Sequence, residues 1–413
     1  MAETLRLESW ATAREALRHR DLRQGLYDEG RALMDGVIVN LHGASHTERR
    51  RLENRLFRRD TFAYWERELI PTLLEESLAT HSLPHDRRDV SDVDIVPVVR
   101  HAMLRLAASV AGLDIGSDTA DFLRLAGLMA RLAAASTVVH ATGDKTAIVS
   151  DGLAALDEVR STYLAPSWAR REALISDVRS GRRPENDLPR DILTVLLAAR
   201  EEHGLPTDVI EREVAYFPWV GSHSTSIALV HALHHCFDHD EEQPGTLRTL
   251  VDEPDTLQRF VHESLRLHPA SPQAVRRAVA DGQLPTGHRF AAGDSVVIDM
   301  VAANRDASVF GDDADAFDPS RTLADGVTPW GLTFGSGFHA CLGQELAGGL
   351  PPGQSDGDRL LGAITVMISK LLDAGARRSS LHPPVRDERT TRPTWRTYHV
   401  VFDPQFDQQG ESR

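Results

Sequence analysis

Cys341 stands in the stretch FGSGFHACLGQELA, Phe334 to Ala347, and is one of two cysteines in the chain. A thiolate is a strong, soft ligand for iron, and nearby backbone N–H groups stabilise its charge. Glycines on either side let the backbone curl around the sulfur and approach a flat ligand closely. The following CLGQELA can open a helix, which would set Cys341 at a helix N-terminus, where the dipole favours an anion. The alternative is a small buried hydrophobe, the usual fate of a free cysteine; this stretch alone leaves both readings open. A second group lies in HALHHCFDHD. His231, His235 and His239 fall at four-residue steps and share one helix face, a spacing that can ligate zinc. No second pair of ligands follows at finger-like spacing, so no metal is expected there, and Cys236 reads as an inert packed thiol. Glu263 and Arg266 of HESLRLHP are three apart and also share a helix face, where an isolated pair is usually a surface ion pair.

The elements that must hold these residues are mostly helical. Apolar residues recur at helical spacing in WATAREALRHR, Val98 to Leu113, Phe122 to Val139, Asp191 to Arg200 and Val209 to Phe237. Strand-like alternation comes late, at His288 to Ala302 with AAGD as a turn, and in RTYHVVF near the end. The 413 residues contain no repeat and no clear linker, so one domain over 1–413 is expected, with 404–413 as a flexible tail. The fold class is mainly α with a minor β-sheet. The net charge of −15 argues against nucleic acid or an anionic membrane as the main partner. No stretch approaches a membrane span and MAETLRLESW is not a signal peptide. Two distant cysteines fit a reducing, cytoplasmic setting.

Phe334, Gly337, His339, Cys341, Gly343 and Ala347 match, position by position, the haem-binding loop of the cytochrome P-450 family, which the chain resembles from about Trp10 to Phe402. The resemblance implies haem b, iron protoporphyrin IX, held between a long distal helix and a proximal helix. Cys341 would be its axial metal ligand, with Phe334 near the sulfur. His339, Arg276 of VRRAVAD, and His46 and Arg50 of SHTERRRL would meet the two propionates. Glu263, Arg266 and Arg321 of FDPSR resemble the family's structural triad, and NRD at Asn304 to Asp306 is similar to a family stretch.

Three departures stand out. Only 45 residues precede His46, so the family's first helix and first sheet strands are expected to be missing. After Ala347 the stretch GGLPPGQSDGD ends the proximal helix, with helical spacing resuming at Leu360 to Leu372. On the distal side EVAYFPWVGSHSTSIALV resembles the helix over the haem, with a kink expected at Pro218. Where the family has A-G-x-D/E-T, this chain has Val220, Gly221, Ser222, His223 and Ser224, followed by Thr225. His223 could relay protons near neutral pH, with an ordinary pKa of about 6.5, and Ser224 could anchor a water. Alternatively the relay is lost, or His223 has no relay role.

The resemblance implies a soluble bacterial-type haem-thiolate monooxygenase oxidising a small organic molecule, plausibly in specialised metabolite biosynthesis. Substrate contacts carried over are the loop Leu26 to Asn40, Phe217, Trp219, Val220 and Gly221, Ser271, Gln273 and Ala274, and Thr394 and Trp395, the last two in the segment from Arg392. The six arginines of Arg49 to Arg59 would steer an acidic ferredoxin-type redox partner; the alternative is a solvated face. The rival enzyme reading is a peroxide-driven or O2-independent relative, such as a peroxygenase, an isomerising enzyme or a nitrene-type transferase. A rival of another class is a haem-binding sensor or recruitment protein without turnover.

Overall fold

The computed structural model describes residues 3–81, 91–353 and 359–402. Helices dominate, as expected, and their starts are written into the sequence. Asp94, Asp118, Asp144 and Asp191 each accept a backbone N–H from the first turn of the helix they precede, satisfying donors that have no partner in the helix. Gly112 and Gly204, both left-handed, close two of these helices.

The longest element is the central helix, Thr207–Glu242, about 54 Å at 1.5 Å per residue. Its middle third is buried nearly all round, so it is a core helix with neighbours on every side. Pro218 removes one backbone donor but does not end the helix. Three consecutive side chains just beyond it bond back to carbonyls one turn earlier. Ser222 Oγ donates to Pro218 O at 2.7 Å, His223 Nδ1 bonds Trp219 O at 3.0 Å, and Ser224 Oγ donates to Val220 O at 2.7 Å.

The main sheet has four strands in the order Thr4–Leu7, Ser295–Asp299, Gln273–Ala278, Leu22–Gln24. The first pair is parallel, with Thr4 opposite Ser295, and the others are antiparallel. Two of the four strands therefore come from the first 24 residues, which corrects the expectation that the first sheet strands are missing. They are three or four residues long and carry Arg6 and Arg23, so they show no apolar alternation. The segment from His288 also divides differently from expectation. Arg289–Phe290 pairs with Gly282–Gln283 instead of with Ser295–Asp299, and Met300–Ala303 is helical. The C-terminal stretch supplies two strands, Trp395–Thr397 and His399–Phe402, in different sheets. The proposed tail lies outside the described residues.

Behind the loop of Cys341, the helix Pro254–Leu267 carries a buried polar node. Arg266, with no exposed surface, forks onto Glu263 at 2.6 and 2.8 Å and donates to the carbonyls of Asn304 and Ala314, both at 2.7 Å. Arg321 Nε reaches the same Glu263 at 3.2 Å. Asn304 ties the node to the loop, bonding Arg266 O, Thr333 Oγ1 and the N–H of Leu332. Glu263, Arg266 and Arg321 are thus together, and the pair is the centre of a buried network, not a surface ion pair.

Candidate functional site

A cavity of about 690 Å³ lies between the central helix and the loop Phe334–Gly343, closed by Gln24–Tyr27, the segment 270–276 and the C-terminal residues 387–394. Gly335 and Gly337, both at φ +73°, turn the loop through left-handed backbone that favours glycine. The Cys341 N–H then bonds the Phe334 carbonyl at 2.8 Å, and the residue opens onto the cavity instead of into packed side chains. Burial raises its pKa, opposed by the Gly343 N–H and by Arg50. The one-turn helix Gln344–Gly348 starts three residues beyond it.

One edge of the cavity is basic. Arg276 is buried, donates Nη1 to Gln24 Oε1 at 2.8 Å, and has an Nε with no partner; burial lowers its pKa to about 10. Arg50 bridges its helix, Gly43–Glu53, to the loop by donating Nη2 to Ala340 O at 2.8 Å. His339 lines the same cavity, its pKa lowered to about 3 by burial, His46 and Arg276. His46 does not line it: its ring packs on His339 at 4.2 Å, and burial and Arg50 lower its pKa to about 4. His46 therefore backs His339, which corrects its expected place beside a propionate. Both rings bring N–H donors, and the charge on this edge belongs to Arg276 and Arg50. Gly337 is also off the cavity wall. Any Cβ there would meet Arg18 Cγ at 2.9 Å, so this glycine serves the close approach of the N-terminal helix.

The family model for Cytochrome P450 matches residues 251–348, the segment that holds the Arg266 node, Arg276 and the Cys341 loop. That segment is similar to the cytochrome P-450 family. The family's cofactor, haem b, fits the residues present: a thiol facing the cavity, an orphaned Arg276 Nε and a second arginine on one edge. The vitamin D(3) 25-hydroxylase of Pseudonocardia autotrophica is 29% identical over 206 residues, 48% of this chain and 47% of that protein. The indoleacetaldoxime dehydratase of Arabidopsis thaliana is 36% identical over 105 residues, 24% of this chain and 21% of that protein. The matches thus span less than half the length of these relatives. The crystal structure of CalO2 superposes with a TM-score of 0.69 at 20% identity, covering 97% of this chain and 90% of that one, a likeness of fold.

Phe334, Gly343 and Ala347 line the cavity on the thiol side. Gly221, His223, Ser224 and Thr225 line it from the central helix, as do Tyr216, Phe217, Trp219 and Val220. Ser271, Gln273, Ala274, Arg392 and Thr394 complete the wall, with Leu26, Tyr27, Ile38 and Val39 from the expected loop. Trp395 is a correction. It points away from the cavity, 9% exposed, with Arg386 over its ring at 3.5 Å and Tyr398 edge-on at 5.5 Å.

At His223 and Ser224, where a relay and its loss were both open, the hydrogens point back into the helix. Burial, then Arg100, holds the His223 pKa well below 6.5, so the ring is neutral at pH 7. A carbonyl can only accept, so Nδ1 spends its hydrogen on Trp219 O, and Nε2 is left as an acceptor. Ser224 spends its hydrogen on Val220 O. Thr225, 7% exposed, lines the cavity and makes no side-chain hydrogen bond among the described residues. It is the free hydroxyl of the three.

In the histidine run, each ring has a partner of its own. His231 donates to Pro393 O, His235 bonds His268 at 2.8 Å, and His239 meets the edge of Phe260. Cys236 is buried and its pKa is raised by burial, an inert thiol as expected. The arginine run divides by depth. Arg49 is buried against Glu213, Arg50 serves the loop, Arg58 pairs with Asp60, and Arg59 forks onto Glu345 at 2.9 Å twice. Only Arg51 and Arg55 of the six are exposed without an ion pair among the described residues.

Residues with no motif to announce them repair the broken proximal helix. The helix ends at Gly348 and resumes at Ala363, yet a Cβ on Gly362 would lie 2.4 Å from Gly349 N. The two helix ends therefore still abut across the interruption. Gln258 donates to the carbonyls of Leu360 and Leu361, both at 3.0 Å, and His262 to that of Gly348 at 2.7 Å. Glu66 accepts the N–H groups of Leu361 and Gly362.

Proposed function

We propose that the chain, as one domain, is a haem-thiolate monooxygenase that oxidises a small organic molecule. The observation that carries this reading is the placement of Cys341 on the cavity wall, with Arg276 and Arg50 along one edge and a helix bearing Thr225 across from the loop. Haem b, when bound, supplies the oxidising chemistry, favoured by a thiolate ligand. Cys341 holds the iron. Arg276 and Arg50 pair with the propionates, which would otherwise be buried unpaired. The aromatic wall of Tyr216, Phe217 and Trp219 keeps water from the reacting face. Thr225 holds a hydroxyl proton towards that face, a role assigned by elimination because His223 and Ser224 have given theirs to the helix. Exposed Arg51 and Arg55, on the helix behind the Cys341 loop and just after it, support docking of an acidic ferredoxin-type donor. The vitamin D(3) 25-hydroxylase relative is named for a hydroxylation, which supports the reaction class.

A second reading has a specific observation behind it. Two of the three polar residues at the distal position offer acceptors only, so proton delivery is thinner than an acid–alcohol pair would give. That favours an oxidant that arrives with its oxygen, such as peroxide, or a reaction that needs none. The test is oxidation of a generic dye by the holoprotein under two feeds: peroxide alone, and O2 with a ferredoxin–reductase pair. Turnover with O2 and electrons that is lost in Thr225→Ala supports the monooxygenase. Turnover with peroxide alone, indifferent to Thr225→Ala, supports the second reading and rejects the first.

A further inference from the structure

The cavity carries more positive charge than a cofactor edge requires. Beyond Arg276 and Arg50, three arginines line it: Arg100 from the helix Ile95–Ala111, and Arg389 and Arg392 from the C-terminal segment. One carboxylate, Asp387, stands among them. Both of its oxygens are taken by Arg389, at 2.8 Å each. Arg100 and Arg392 are left with no side-chain hydrogen bond and no ion pair among the described residues, and the Nε of each is buried without a partner. They flank His223, which is neutral.

A guanidinium withdrawn from water without an anion is costly, and folded proteins rarely leave two such groups on one wall. Two forks with free N–H groups are built for a planar anion, which each can meet with two parallel hydrogen bonds. The cofactor edge does not absorb Arg100; Arg392 stands nearer that edge, with Tyr27, which also neighbours Arg276, as its titratable neighbour. The charged groups nearest Arg100 are Asp387, Arg389 and Asp94, none of which belongs to the edge of Arg276, Gln24 and Arg50. The aromatic wall at Tyr216, Phe217 and Trp219 meanwhile offers apolar surface to the rest of a ligand.

We propose that the substrate is a carboxylate-bearing molecule whose carboxylate is held by Arg100 and Arg392 beside His223. The proposal rests on the haem-thiolate reading for what happens to that substrate, but its binding is measured separately. Dodecanoate and naphthylacetate, each against its methyl ester, are titrated calorimetrically into the purified holoprotein. The acid binds roughly tenfold or more tightly than its ester, the worth of one charge-assisted hydrogen bond. Arg100→Gln and Arg392→Gln each shrink that ratio towards one, and Arg100→Lys and Arg392→Lys keep most of it. Haem content and the CO-bound ferrous spectrum stay as in the wild type, which shows that the variants are folded and loaded. Equal affinities for acid and ester, or no binding of either acid, overturn the proposal. So does an acid preference that survives in both Gln variants, or an Arg392→Gln protein that loses haem and keeps the preference, since that arginine then serves the cofactor. A wild-type protein without a thiolate-type spectrum sinks the haem-thiolate reading; a normal spectrum with equal affinities sinks only the carboxylate.

Discussion

The two sides of the cavity are built by different means. On the thiol side, Cys341 is held by a scaffold in which nearly every polar group has several partners: Arg266 on Glu263 and two carbonyls, Asn304 on three groups, Gln258 and His262 across a broken helix. On the central-helix side, the polar residues turn inward on their own helix and two nearby arginines have no side-chain hydrogen bond or ion pair among the described residues. The difference separates a region that fixes a cofactor from one that waits for a ligand. A satisfied network rigidifies, and an unsatisfied cation is energy available to whatever brings the anion.

The sharpest way to break this comparison is to cut the thiol-side network. Arg266→Ala leaves Glu263 buried with only Arg321 and the Asp318 N–H, and about 3–5 kcal/mol of stability should be lost, read as a fall in the denaturation midpoint. A change of less than about 1 kcal/mol, the worth of a surface pair, would mean the scaffold is less coupled than its geometry. Next comes the seam between the two helix ends. Gly362 sits at φ +85° with Gly349 N in the place of any Cβ, so Gly362→Ala should cost about 1–3 kcal/mol. Equal stability would mean that the two helix ends can part freely. On the other side, Thr225→Ala should lower O2-dependent product formation by about tenfold, or 1.4 kcal/mol in the barrier. Ser224→Ala, which frees only a helix carbonyl, should change it by less than about twofold. The reverse order would return the proton to Ser224.

A pH dependence is shared by both sides. Burial lowers His231 and His235 to about 4 and His268 to about 2. Each folded-state pKa lies below the unfolded value of about 6.5, so the unfolded chain binds more protons between the two. Stability should therefore be flat above about pH 6.5 and fall as the pH drops from there through 4. His268→Asn should flatten the slope in that window, measured by denaturant titration at several pH values; an unchanged slope would place the lost protons elsewhere.

What was legible in the sequence follows the same division. The Cys341 loop, the Glu263–Arg266 spacing and the long central helix are local patterns, and local patterns survive folding. The N-terminal strands were not legible, because Thr4 meets Ser295 across the whole chain and a four-residue strand has too few positions to show a period. Six arginines within Arg49 to Arg59 read as one surface, but helical geometry turns Arg49 inward and Arg50 towards the loop. The distal residues were identified by position, yet their roles hang on where each hydrogen points, and that of His223 points to a carbonyl one turn away. Trp395 shows the same limit in a strand, where neighbouring side chains face opposite ways and only Thr394 reaches the cavity.

The central claim is that Cys341 ligates haem iron as a thiolate in this cavity. The most direct measurement is the absorption spectrum of the purified ferrous protein under CO, for the wild type and Cys341→His. A thiolate-type band in the wild type that changes to an imidazole-type band in Cys341→His is the expected result. An imidazole-type band already present in the wild type, unchanged by the substitution, would contradict the account.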